Sequence, residues 1–166
     1  MAIHFSDISR MSLFRGFNEN FIQLLDLFFR EANYKAGAVL VQEGQLQRHF
    51  YMLVAGEVAV NRQVNGADVQ LDILPAGQYF GEMNLFDPGV ATASVVALTP
   101  VRTLEISNDK FRSFMTHKPE LAADFTFQLA ETIVKRFRTS TDLLTEELSR
   151  PEKIDLARRI DRGPVA

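Results

Sequence analysis

The chain has 166 residues, 18 basic and 21 acidic, for a net charge of −3; that length suits one domain with an appended element, and an acidic balance is a poor match for nucleic acid. It contains no cysteine, which removes disulfides, thiolate nucleophiles and thiolate metal sites together and fits a cytoplasmic protein. No apolar run reaches the ~18 residues a membrane helix needs, and the N-terminus lacks a basic-then-apolar signal pattern, so no membrane partner is expected.

Residues 1–33 read as N-terminal helices. Met1 to Gly16 forms a short helical lead-in whose apolar contacts are Ile8, Met11, Leu13 and Phe14. Asn18 can cap a helix in which Phe21, Leu24, Leu25 and Phe28 fall at i, i+3, i+4 and i+7, one buried stripe. The chain holds 14 phenylalanines and no tryptophan, and most of the rings sit at helical spacing, which predicts core filling.

From Tyr34 the period changes, and residues 34–106 read as a β-barrel. Val39-Leu40-Val41, Phe50 to Val54 and Val58-Ala59-Val60 are short β-prone runs separated by Glu43-Gly44 and Ala55-Gly56, where glycine supplies turn geometry. Asn65-Gly66 is a strong hairpin signal because both residues tolerate positive φ. Val69, Leu71 and Ile73 alternate with Gln70 and Asp72, which predicts a half-buried strand. With Val95-Val96-Ala97 and Val101 to Ile106 the count reaches about eight strands, a Greek-key barrel or jelly roll.

Between those strands lies the stretch that carries chemistry, Tyr79 to Val95. Gly81 lets the backbone turn sharply as a strand ends, and Glu82 presents a carboxylate there. Met83 to Phe86 form a single helical turn whose unpaired N–H groups and positive dipole end favour an anion. Asp87-Pro88-Gly89 ends that turn. The small residues Ala91-Thr92-Ala93-Ser94 then allow backbone to approach a ligand closely. A ribose suits the carboxylate and a phosphate suits the amides.

Phe80-Gly81-Glu82-Met83-Asn84-Leu85, followed by Thr92-Ala93-Ser94-Val95, resembles the phosphate-binding cassette of cyclic-nucleotide-binding domains. The wider resemblance runs from about residue 13 to residue 137. It takes in Leu13-Phe14-Arg15-Gly16-Phe17, the framework Gly37 to Gly44 and Tyr51 to Val60, and Leu104-Glu105-Ile106 with Phe111. It implies a mainly β fold with flanking helices: an eight-stranded jelly-roll barrel, N-terminal helices and a long C-terminal dimerisation helix. It also implies a ligand site built from Phe80, Gly81, Glu82, Met83, Asn84, Ala91, Thr92 and Ala93, with Leu71 on the strand beside the base pocket, and Glu82 accepting from the ribose 2′-hydroxyl. Where the family places the arginine that neutralises the cyclic phosphate, this chain has Ala91. Losing a hydrogen bond to a charged group removes about 1.5–3 kcal/mol, or about 10- to 150-fold in affinity, so the expected ligand is a weakly held cyclic nucleotide or another small molecule.

Residues 107–148 read as C-terminal helices. Ser107 can cap a helix around Lys110 to Thr116, and Pro119 starts a long one, since the N–H it lacks is unpaired there anyway. Leu121, Phe125, Leu129 and Ile133 make one stripe, expected to pack on the barrel. Phe127, Ala130, Val134, Phe137, Thr141, Leu144 and Leu148 step by 3, 4, 3, 4, 3, 4, a heptad register that predicts a homodimer interface. The eighteen residues of the tail, 149–166, are too few for the helix-turn-helix that DNA-reading relatives carry there, so direct nucleic-acid binding is not expected.

Catalysis finds little support. His4, His49 and His117 are scattered, with no metal-ligand spacing, no G-x-S-x-G and no phosphate loop with lysine; neither a metal nor a cofactor is expected. The leading expectation is a non-enzymatic regulatory sensor module that signals through its C-terminal helix. The alternatives are a structural dimerisation or protein-interaction module with a vestigial pocket, and the sensor part of a transcription regulator.

Overall fold

A computed structural model gives the structure of the chain and describes residues 8, 11–14, 17, 19–25 and 27–149. The expected Asn18 cap, most of the lead-in helix and the tail from Arg150 lie outside the described residues. Those described hold a 3-10 turn at Ser12–Phe14 followed in chain order by α1 (Glu19–Leu25), β1 (Arg30–Tyr34), β2 (Val39–Val41), β3 (Leu46–Gln47), β4 (His49–Ala55), β5 (Glu57–Val64), β6 (Ala67–Pro75), β7 (Tyr79–Phe80), α2 (Met83–Phe86), β8 (Gly89–Val90), β9 (Ser94–Ala97), β10 (Val101–Ser107), α3 (Asn108–His117) and α4 (Pro119–Leu148).

Eight of these strands form two four-stranded antiparallel sheets, ordered β1-β10-β4-β7 and β2-β9-β5-β6; the two-residue strands β3 and β8 form a separate pair. The fold is the expected jelly roll, with ten strands rather than eight because β3 and β8 are too short to carry an alternating pattern. The barrel also begins earlier than residue 34: Arg30–Tyr34 pairs with Glu105–Val101 as a strand, directly after α1 ends at Leu25.

Leu40, Val41, Tyr51, Leu53, Val58, Phe80, Val95, Ala97 and Val101 fill the space between the sheets. Strand β4 is buried on both faces, which explains its unbroken apolar run. Tyr51 points inward and stacks on Phe80 (ring centroids 4.8 Å apart), while Phe50 points outward to Tyr79 and Phe125. Asn65 and Gly66 take φ +52° and +82° at the β5–β6 hairpin, as their sequence predicts. The expectation of a half-buried strand around Val69, Leu71 and Ile73 does not hold: all three are exposed. β6 is a sheet edge, and because Val60 pairs with Asp72 and Asn61 with Gln70, Leu71 is the extra residue of a β-bulge that breaks the alternation.

Outside the barrel the phenylalanines converge. The rings of Phe14, Phe29, Phe50, Phe111 and Phe114 all lie 6.1–6.4 Å from that of Phe125 on α4. One side chain thus joins the N-terminal turn, the entry to β1, the outer face of β4 and α3. Ser107 caps α3 by accepting from the Lys110 N–H, and α4 starts at Pro119, both as expected. The one buried carboxylate among the described residues, Glu105 on β10, is met by the Arg30 guanidinium at 2.8 Å, the Thr103 hydroxyl at 2.9 Å and the Tyr34 hydroxyl.

The chain divides into two compact units within α4, Met1–Gln128 and Leu129–Ala166. In the second unit Val134, Phe137, Leu143, Leu144 and Leu148 are exposed, Phe137 to 71%.

Replacing Phe125 by alanine removes the ring shared by five others and is expected to cost about 3–5 kcal/mol of stability. Phe125→Leu should cost clearly less. Urea unfolding followed by far-UV circular dichroism measures both.

Candidate functional site

The stretch singled out in the sequence begins where β7 leaves the first sheet. Gly81 has φ +76°, and a Cβ there would stand 2.6 Å from the His49 carbonyl oxygen. Only glycine fits both the left-handed backbone and that approach. Glu82 follows in right-handed helical conformation at the N-cap of α2, its side chain half-buried and making no capping bond to that turn.

Helix α2 is the single turn that the sequence predicts, and both its ends are tethered. The Asn84 side-chain amide donates to the His49 carbonyl at 3.2 Å. At the other end the Leu85 carbonyl accepts from the Asn108 amide at 2.6 Å. Asn108 is itself buried, with its N–H on the Arg48 carbonyl (2.8 Å) and its Oδ1 accepting from Arg112 Nε (3.2 Å). Sequence reasoning missed Asn108, because a polar residue at a helix start reads as a local cap rather than a long-range tie. The expected row of unpaired N–H groups is also shorter than predicted: those of Asn84 and Leu85 are already donated to the Gly81 and Glu82 carbonyls. Glu82 enters in helical conformation, so 3-10 bonds carry the turn backward and consume the donors.

The segment after α2 is laced to the loop after β2. β8 pairs with β3. The Ala91 N–H donates to the Gln45 carbonyl and the Ala91 carbonyl accepts from Gly44, both at 2.9 Å. The Ser94 hydroxyl accepts from the Glu43 N–H at 3.0 Å, so it serves the backbone of this loop.

Between these elements is a cavity of about 180 Å³. Of the nine residues expected at the ligand site, the structure brings seven to its wall: Phe80, Gly81, Met83, Asn84, Ala91, Thr92 and Ala93. Glu82 and Leu71 are not on it; Leu71, at the bulge, is 55% exposed. Val41, Val60 and Val95 complete the wall from the barrel interior, with Gln47 and Val90 from the β3–β8 pair. The sequence marks the three valines as members of β-prone runs, not as ligand positions. None of the lining side chains carries a charge. Below the wall, burial and the Glu105 charge push the Tyr51 phenol up to about 12, so it remains neutral beneath Phe80.

Among the described residues no cluster of His, Asp and Glu is placed to hold a metal ion, and no helix is long and apolar enough to cross a membrane. Of the expected interface stripe, Phe127, Ala130, Val134, Phe137, Thr141, Leu144 and Leu148 are all exposed, and the Thr141 hydroxyl donates to its own helix at the Phe137 carbonyl.

Comparison with known proteins gives a consistent result. The model of the cyclic nucleotide-binding domain family matches residues 31–118. A CRP-like cAMP-activated global transcriptional regulator of Mycobacterium tuberculosis is 26% identical over 140 residues, covering 84% of this chain and 61% of that protein. The chain therefore spans about three fifths of that relative's length. The crystal structure of Thermus thermophilus catabolite activator protein matches with a TM-score of 0.72 and 29% identity over 83% of this chain and 63% of that one. A cyclic nucleotide-binding domain from Methylobacillus flagellatus matches in fold, with a TM-score of 0.75 at 23% identity over 86% of this chain and 80% of that one.

Gly81→Ala is expected to lose about 1–3 kcal/mol from the left-handed strain alone, and more if the His49 carbonyl cannot yield. A urea midpoint unchanged from the parent chain would contradict a left-handed turn packed against that carbonyl.

Proposed function

The chain belongs to the cyclic nucleotide-binding domain family, and from that premise we propose that it is a non-catalytic regulatory module whose cassette cavity binds cyclic nucleotide weakly, or a different small ligand, and which signals through α4. Residues 34–106 hold the ligand in this reading, residues 107–148 carry the output, and residues 1–33 and 149–166 flank them. Ala91 is the observation that carries it. This residue lines the cavity at the place where the family's motif has arginine, and no other lining residue supplies a positive charge. A cyclic phosphate in the cavity would lean on neutral donors such as Thr92, at a loss of about 10- to 150-fold relative to an arginine partner.

The module is proposed to act in the cytoplasm as a homodimer. Its support is the exposed stripe from Phe127 to Leu148, in heptad register along one helix, since a contiguous apolar face of this kind ordinarily meets a partner. The relatives named as transcriptional regulators favour one second reading, the sensor part of such a regulator.

Ligand binding is read from thermal melting with millimolar cyclic AMP or cyclic GMP, because a ligand that binds only the folded state raises its stability. The parent chain is expected to shift little and Ala91→Arg clearly more. Flat curves for both proteins would overturn cyclic nucleotide as the ligand and favour a structural module with a vestigial pocket.

For the dimer, sedimentation equilibrium at micromolar chain is expected to give twice the chain mass, and Phe137→Glu to reduce it to one. A monomeric parent chain would overturn the interface.

A further inference from the structure

Resting on the reading of the cassette cavity as a ligand site, we infer that its ligand is an uncharged, largely apolar small molecule carrying a ring and a neutral hydrogen-bonding group, and that the site rejects anions. Three independent observations converge on it.

The first is the wall. Its floor is the barrel core itself, with Val41, Val60, Phe80 and Val95 buried or nearly so, and Met83 and Val90 are the exposed side chains at its mouth. A surface of this kind gains from displacing water by carbon. The polar side-chain groups are neutral: the Gln47 amide, the Thr92 hydroxyl and the Asn84 carbonyl oxygen, the Asn84 nitrogen being engaged by the His49 carbonyl.

The second is charge. From Gln63 to Val101 the chain contains no Lys, Arg or His, yet it contains Asp68, Asp72, Glu82 and Asp87. The whole run that supplies β6, β7, α2, β8 and β9 thus offers carboxylates and no cation. On the facing loop Glu43 brings another carboxylate, held by the Gln63 N–H at 2.9 Å. The N–H groups of Asn84 and Leu85 at the start of α2 are spent on local carbonyls. No described lining side chain gives an anion a counter-charge for the hydration it loses on entering.

The third is volume. About 180 Å³ compares with the roughly 150 Å³ of an apolar cavity that takes up benzene, and falls short of the ~300 Å³ at which drug-sized pockets begin. A single ring with one polar substituent fits this scale.

Benzamide and benzoate test the inference, since they share shape and size and differ in charge. Their affinities for the full chain are measured by ligand-observed NMR and calorimetry, beside cyclic AMP. Benzamide is expected to bind, with benzoate weaker by about tenfold or more. Ala91→Arg should invert that order. Ala93→Phe, which fills the cavity, should abolish binding while its unliganded melting curve reports whether the fold survives. Benzoate binding the parent chain as well as benzamide would overturn the inference. Cyclic AMP binding with neither probe bound would overturn it too, while sparing the small-ligand module. Silence from all three ligands in both the parent chain and Ala91→Arg would overturn the inference and the module together.

Discussion

The cluster of rings around Phe125 is the constraint on which the rest of the described structure depends. β4 is trapped between it and the barrel interior, with Phe50 against Phe125 on one face and Tyr51 against Phe80 on the other. Fixing β4 fixes the His49 carbonyl, and the cassette rests on that oxygen twice, through the close approach of Gly81 and through the Asn84 amide. The same cluster reaches the far end of α2 by a second route: Phe111 touches Phe125 and also meets Phe86 edge-on at 5.8 Å. Close packing makes such a chain of rings stiff. The rings of this cluster thus do more than fill space, because they set the position of a four-residue turn that has little stability of its own.

Two places in the chain show opposite solutions to a buried charge. Glu105 is almost wholly removed from water, and the sequence surrounds it with a guanidinium and two hydroxyl donors drawn from β1 and from β10 itself. Such provision is what a buried carboxylate requires. The cassette cavity has no comparable provision for a phosphate. An alanine stands where the cation would be, and the run from Gln63 to Val101 that supplies most of the wall has carboxylates and no cation. A fold able to meet Glu105 with a guanidinium and two hydroxyls has, a few strands away, built an uncharged wall.

Local signals were legible in the sequence wherever one residue's own chemistry decides the backbone. Asn65-Gly66, the Ser107 cap, Pro119 and the single turn from Met83 to Phe86 all fall where their residues place them. Features that depend on partners distant in sequence were not legible. Arg30–Tyr34 reads as the end of a helical region until it is paired with β10 and its arginine with Glu105. Leu71 alternates as an inward residue would, but a bulge opposite Val60 and Asn61 and the lack of a further strand leave it in solvent. Asn108 gives no sequence signal of its tie to Leu85, 23 residues away. Much of the candidate stretch lines one cavity, but the stretch alone does not describe that volume, since Val41, Val60 and Val95 enter it from three separate strands.

The composition of α4 argues for its proposed output. Its first turns are anchored by Phe125, fully buried in the ring cluster. From Leu129 onward the helix belongs to a different compact unit, and along it Val134, Phe137, Leu144 and Leu148 repeat an apolar face that stays exposed. The stability of a helical segment in a protein ordinarily comes from burying such a face. Propensity does little to offset this, because Thr139, Thr141 and Thr145 bond back onto their own helix at Lys135, Phe137 and Thr141, an arrangement that tends to bend a helix rather than stiffen it. In the proposed reading, the order of the second half of α4 depends on what it meets. A sensor needs its output element to be of that kind: held at one end by the domain that binds, and with an equilibrium at the other end that a partner can shift.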